Sequence, residues 1–300
     1  MRSTLAHHDK RLNTSGRGGS RSVEGVELTA AVPARPDGVN WEIRSYARRG
    51  TRLNARQQES WDRHATRWVV APETQTAPGF RLPDVFERPG PLIIEIGLGV
   101  GEALVSLATS RPEANVLGFE VWAPGVAQCL NGLSRTDARN VRLSTLDAAW
   151  CLDNLLEPAS ITELWTFFPD PWPKARHHKR RLVNRRFAAL AASRLVPGGS
   201  WRLATDWPDY ADQMREVLDS EPLLRGGVTE RFADRPLTRF ERRGLAAGRS
   251  IVDLTYTRPA EAASPESQAL SAQAYSDRNC SMATRLPPCS LADSSKHSAS

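Results

Sequence analysis

Five short apolar runs, separated by stretches of helical periodicity, constrain the fold of this chain most tightly. They fall at residues 92–96 (LIIEI), 116–120, 141–145, 164–168 and 200–204. Helical patterns occupy 102–110, 124–137, 148–156, 185–195 and 208–219, and Pro197, Gly198 and Gly199 stop the fourth of them. A last run follows at 251–256. Apolar runs this short, alternating with helices over short connections, predict an α/β architecture with a doubly wound, mostly parallel sheet. Such sheets bind ligands beyond the carboxyl ends of their strands.

Residues 1–40 are rich in Gly, Ser, Arg and Pro, and residues 260–300 in Ser and Ala. Neither has a sustained apolar period, so both are expected to be flexible tails around a single domain at 41–259. Cys129, Cys151, Cys280 and Cys289 form no CxxC pair, which argues against a zinc site or a disulfide framework. No apolar run approaches the roughly eighteen residues needed to cross a bilayer, and the N-terminus lacks a signal-peptide core. The expectation is a cytoplasmic protein with no membrane contact and no obligatory protein partner, as a monomer or homodimer. A net charge of +6 suits a polyanionic partner without specifying one.

The first run leads into Glu95-Ile96-Gly97-Leu98-Gly99-Val100-Gly101. Three glycines allow a sharp turn and close backbone approach to a ligand, ahead of a helix N-terminus. A plain strand-to-helix turn would look the same. The second run, however, ends in Glu120, where a carboxylate can accept from ribose hydroxyls, so the pair points to an adenosine-type cofactor. A dinucleotide favours G-x-G-x-x-G with pyrophosphate on the helix dipole. Here the loop is G-x-G-x-G with Glu95 just before it. S-adenosylmethionine carries an ammonium and a sulfonium and no phosphate, so nearby carboxylates suit it better. Asp147, at the third run's end, can accept from an adenine amino group or cap the helix that follows, and the roles are compatible.

A second signal lies in residues 164–181, LWTFFPDPWPKARHHKRR. The apolar run breaks at Pro169, presents Asp170, and is stiffened by Pro171, Trp172 and Pro173. Between Lys174 and Arg186 come seven Lys or Arg, two His and no acid. An acid beside a proline is by itself a turn residue, and a cationic run by itself a solvated face. Together they suit chemistry on a nucleic-acid base, with phosphates on the arm and the base at the rim. His177 and His178 lack metal-like companions and join that surface. Asp206, where the fifth run ends, is a further rim acid or an N-cap for the helix from Pro208.

Taken in order, these motifs resemble the bacterial tRNA (guanine-N7-)-methyltransferases. The likeness covers roughly residues 44–256: RSYARRGTRLNARQ from Arg44, IEIGLGVGEALV from Ile94, FEVWAPGVAQCL from Phe119, FFPDPWPKARHHKRRLVN from Phe167, ATDWPDYADQM from Ala204 and RPLTRFERRG from Arg235. Arg239 stands where the family usually has lysine, which keeps the charge but changes donor geometry. The resemblance implies a Rossmann-like class I S-adenosylmethionine-dependent methyltransferase that methylates N7 of a guanosine in the tRNA variable loop. By resemblance, Glu95, Gly97, Gly99, Gly101, Glu120, Asp147 and Asp170 line the cofactor site, Asp170 being the catalytic residue. Lys174, Asp206, Thr238, Arg239, Phe240 and Glu241 would contact the substrate. Arg176, His177, His178, Lys179, Arg180 and Arg181 would contact RNA. Residues 44–56, with five arginines and Tyr46, would either extend the RNA surface or fold over the cofactor.

Three rival readings meet specific obstacles. An amino-methyltransferase uses an acid-Pro-Pro-aromatic rim, whereas Trp172 stands here in place of the second proline. A silent RNA-binding subunit has no use for four cofactor-facing acids. A nicotinamide-dependent dehydrogenase fits the glycine loop and nothing after Asp170.

Overall fold

The computed structural model describes Gly50 and residues 52–260. The tails expected from sequence at 1–40 and 260–300, apart from Ala260, and residues 44–49 and 51 of the basic segment lie outside the described residues.

Five strands run parallel: β1 (Leu92–Ile96), β2 (Asn115–Phe119), β3 (Val141–Ser144), β4 (Ile161–Phe167) and β5 (Leu195–Thr205). Two more complete the sheet. β7 (Val252–Thr257) lies antiparallel between β5 and β6 (Arg225–Thr229). The order across the sheet is β3-β2-β1-β4-β5-β7-β6, so the chain reverses direction of travel between β1 and β4. A crevice for ligand opens at such a reversal, beyond the strand ends.

The helices are α1 (Ala55–Trp68), the one-turn α2 (Pro72–Gln75), α3 (Glu102–Ser110), α4 (Ala123–Leu133), α5 (Ala148–Asn154), α6 (Arg185–Arg194), α7 (Pro208–Asp219) and α8 (Arg239–Ala246). They cover the sheet in two layers. Ile94 and Ile96 bury with Leu152, Phe187, Trp201 and Met214 on the α5, α6 and α7 side. Ile93 buries with Leu104, Leu130 and Trp165 on the α3 and α4 side. Strand alternation puts Glu95 on Ile93's face, so an acid is carried into the interior by its neighbours' register.

Local chemistry explains the helix starts. Asn54 and Gln57 form a reciprocal capping box at α1, both bonds 3.0 Å. α1 is then tied to α4 by the Ser60 hydroxyl, which donates to the Ala127 carbonyl at 2.9 Å. Its end is fixed by buried Trp68, whose indole N–H donates to the Ala138 carbonyl at 3.1 Å.

The expected parallel strands and their helices are present, with shifted ends. The helix expected at 124–137 stops at Leu133, and β4 begins at Ile161, ahead of the apolar run. Pro197, Gly198 and Gly199 do not separate helix from strand. β5 starts directly after α6 and absorbs these residues where its register against β4 shifts, with Gly198 left-handed at φ 82°. α1, β6 and α8 add to the elements read from sequence, and Thr238 caps α8 by accepting from Glu241 N at 3.2 Å.

Ile94 is fully buried in the layer beneath α5 to α7. Ile94→Ala is expected to cost about 2–5 kcal/mol, read as a lowered urea midpoint with an unchanged slope.

Candidate active site

At the carboxyl ends of β1, β2 and β4 lies a cavity of about 520 Å³. One wall brings Glu95, Gly97, Gly99, Glu120, Asp147, Phe168 and Asp170 together. The facing wall comes from Arg235, Thr238, Arg239, Phe240 and Arg243.

The glycine turn is required by backbone conformation. Gly97, Gly99 and Gly101 have φ of 77°, 58° and 80°, the left-handed region that side chains disfavour. Around Gly97 and Gly99 a Cβ would meet only open space, so the turn offers bare backbone to the cavity. Glu120 fixes its shape, accepting from Gly99 N at 2.8 Å and from Trp122 N at 2.9 Å. Gly125 in α4 packs beneath, where a Cβ would come within 2.3 Å of the Gly99 carbonyl oxygen. The Trp122 indole N–H donates to Gly50 O at 3.1 Å, bringing the chain before α1 against this wall.

Asp147 takes the capping role expected of it and also lines the cavity. Its Oδ1 accepts from Ala149 N and Trp150 N at 3.0 and 3.2 Å, capping α5, while the residue lines the cavity.

Glu95 is the electrostatic centre. It is 3% exposed and its buried Oε2 has no hydrogen-bond partner. Burial, and secondarily the nearby Glu120 carboxylate, push its carboxyl up to about 8. An orphaned acid oxygen beside a bare glycine turn fits a ligand that brings positive charge, which lets the carboxyl ionise. The donor set therefore accommodates S-adenosylmethionine, with Glu95 answering its cationic end.

The rim after β4 is strained. Phe168 and Trp172 adopt φ of 53° and 45°, left-handed values that cost an aromatic residue about 1–3 kcal/mol each. Half-buried Asp170 lies between them. Phe168 N donates to Ala204 O at 2.7 Å, and its ring meets that of Phe240 at 5.0 Å between centroids.

Several expected site residues stand elsewhere. Asp206 is buried but outside the cavity lining. Its carboxylate pairs with Arg249 and lies close to Gly244 of α8. Lys174, Arg176, Lys179 and Arg180 are exposed on the arm, where Arg180 covers the Trp172 ring at 4.9 Å. His177 meets Trp172 edge-on, and His178 faces Asp209 at 3.6 Å.

Two expectations are corrected. Arg181 is 1% exposed and directs its donors inward, to Pro171 O, Gln213 and Asp209, so it does not stand on the RNA-facing surface. Glu241 is 2% exposed and neutralises Arg231 and Arg235 at 3.0 and 2.6 Å, so its carboxylate is committed inside the protein. Arg235 and Arg243, both on the cavity wall, had no local sequence signature.

A nucleotide-type fold whose glycine turn is backed by acids in place of phosphate ligands defines the class I S-adenosylmethionine-dependent methyltransferases, and this chain is one. Residues 89–254 match a family profile described as a putative methyltransferase. The tRNA (guanine-N(7)-)-methyltransferase of Nocardioides sp. (strain ATCC BAA-499 / JS614) is 56% identical over 233 residues, spanning 75% of this chain and 94% of the relative. That of Cutibacterium acnes (strain DSM 16379 / KPA171202) is 47% identical over 247 residues, spanning 78% and 90%. That of Thiobacillus denitrificans (strain ATCC 25259 / T1) is 41% identical over 234 residues and is matched along 100% of its length. The chain belongs to the tRNA (guanine-N(7)-)-methyltransferase family.

The sign of the Glu95 shift gives a test. A carboxyl raised to about 8 is protonated in the fold at neutral pH, so the fold loses stability as pH rises from the ordinary carboxyl value toward 8. A cationic ligand reverses that preference. Cofactor binding at pH 7 is expected to release roughly one proton, measured by calorimetry in buffers of different ionisation enthalpy, and Glu95→Gln to abolish the release.

Proposed function

We propose that this chain transfers a methyl group from S-adenosylmethionine to N7 of a guanosine in the variable loop of tRNA. The observation that carries the reading is the shared cavity: orphaned Glu95 and rim Asp170 line one space whose far wall is cationic and aromatic. The catalytic unit is residues 41–259, acting in the cytoplasm. When bound, the cofactor supplies an electrophilic methyl on a sulfonium.

Glu95, Glu120 and Asp147 would hold the cofactor, with Gly97 and Gly99 giving it room, while Gly101, outside the cavity lining, lets the turn pack against Cys129. Guanine N7 has an in-plane lone pair that is unprotonated at neutral pH, so the protein needs no strong base. It must orient the base and exclude water, and alignment of this kind can lower a barrier by about 7–11 kcal/mol. Asp170 accepts from the guanine N1–H and amino group, which fixes the base. Its negative charge also favours the cation that develops on the imidazole ring. Phe168, Phe240 and Trp172 offer faces for stacking.

Two cationic banks flank the cavity. Lys174, Arg176, Lys179 and Arg180 are exposed on a segment with no acid from residue 171 to 205. Arg239, Arg242 and Arg243 are exposed on α8, whose one acid, Glu241, is buried. This distribution supports RNA lying across the mouth with phosphates on both sides.

The direct experiment incubates unmodified tRNA with labelled cofactor and maps N7-methylguanosine by borohydride–aniline cleavage. Cleavage in the variable loop is expected, and its absence defeats the proposal. Asp170→Ala should reduce single-turnover methylation by at least about a hundredfold while the protein stays folded. Lys179→Gln with Arg180→Gln should weaken tRNA binding and flatten its salt dependence by about 0.7 for each phosphate left without a cation.

A further inference from the structure

We propose that Arg181 and Arg235 are positioning residues for methyl transfer: two buried guanidiniums that brace the rim at its two ends and so hold Asp170 in place. This rests on the tRNA methylation reading above. It assigns Arg181 a role other than phosphate contact, and gives Arg235 a role of its own.

The rim needs a brace. Residues 168 and 172 both sit in left-handed conformations that aromatic side chains adopt only when their surroundings compel them. At the Pro171–Trp172 end, Arg181 Nε donates to Pro171 O at 2.8 Å. The rest of its fork is fastened to α7, with Nη1 on Gln213 Oε1 at 2.7 Å and Nη2 on Asp209. The guanidinium also lies 4.8 Å from the centroid of Tyr210. One planar group thus joins the carbonyl next to Asp170 to a packed helix.

At the Phe168 end, Arg235 braces from another element by packing its guanidinium against the aromatic rings, where Arg181 hydrogen-bonds the backbone. Its side chain is 0% exposed. Nη2 donates to both oxygens of Asp253 in β7 at 2.8 Å, and Nη1 lies 2.6 Å from Glu241 Oε2 in α8. Its guanidinium carbon stands 5.4 Å from the ring centroids of both Phe167 and Phe168. Arg231 also pairs with Glu241, so two arginines and two acids balance beneath the rim.

Both positions use the property that separates arginine from lysine, a rigid fork serving several acceptors at once. Arg181→Lys and Arg235→Lys keep each charge and lose the fork. In full-length protein, with saturating tRNA and cofactor, each is expected to slow single-turnover methylation about 10–100-fold. Dissociation constants for both ligands should stay within about twofold of wild type, with the salt slope of tRNA binding unchanged.

If either lysine variant fails to fold, gentler ones test the same braces. Gln213→Ala removes one of the two ties from Arg181 to α7 while Asp209 keeps the charge paired, and Arg235→Met with Asp253→Asn removes a pair without stranding a charge. The same loss of rate is expected. Wild-type rates in folded variants overturn the proposal, as does a tRNA-binding salt slope lowered by about 0.7 in Arg181→Met, which removes the charge and would mark a phosphate contact. A wild-type protein that leaves tRNA unmethylated brings down the parent reading and this one together. An active wild type with equally fast variants brings down this one alone.

Discussion

The site is organised around an acid that its own strand will not release. Glu95 cannot turn outward, because Ile94 and Ile96 bury on one face of β1 and Ile93 on the other. Sliding the strand by a residue would exchange the two packed faces and leave the carboxyl buried on the other one. An ionised acid buried without a partner costs several kcal/mol, so the carboxyl keeps its proton until something positive arrives. The hydrophobic core thereby stores a demand for a cation at the sheet's edge. Glu120 is engaged differently: one of its oxygens accepts from Gly99 N of the glycine turn and the other from Trp122 N. One acid shapes the loop and the other keeps an open oxygen.

The opposite wall follows from the antiparallel end of the sheet. A purely parallel continuation would carry the chain away from the cavity after β5. Instead the chain crosses to the edge strand β6, loops back over the carboxyl ends, and re-enters as β7 beside β5. The loop brings Arg235, Thr238, Phe240 and Arg243 to the mouth. The glycine turn and its acids thus come from the first half of the sheet and the cationic, aromatic wall from the return.

Much of this was legible in the residues. The parallel strands and α7, expected at 208–219 and found there, announce themselves by apolar periodicity and by Pro208 at the helix start. The glycine turn and the acids ending β1 and β2 were readable because each chemistry is local. What escaped obeys the opposite pattern. α1 buries a single residue completely at its end, β6 is largely exposed, and α8 turns a glutamate and a glycine inward while its arginines face water. Arg181, Asp206 and Glu241 look in sequence like surface charges. Their partners (Gln213 and Asp209, Arg249, Arg231 and Arg235) lie on other elements, and only the fold reveals that the charges are spent internally. The motif resemblance located these residues at the site without distinguishing those that face a substrate from those that hold the wall.

The excursion from Thr229 to Val252 has a wider consequence. Both its ends are pinned as neighbours, since Thr229 pairs with Asp253 across the β6–β7 ladder. Lengthening its exposed parts adds little closure entropy, and the strands behind stay undisturbed as long as Arg235 and Glu241 keep their buried pairs. Natural variation can therefore retailor the outer half of such a scaffold for other targets while its donor-handling half is inherited intact.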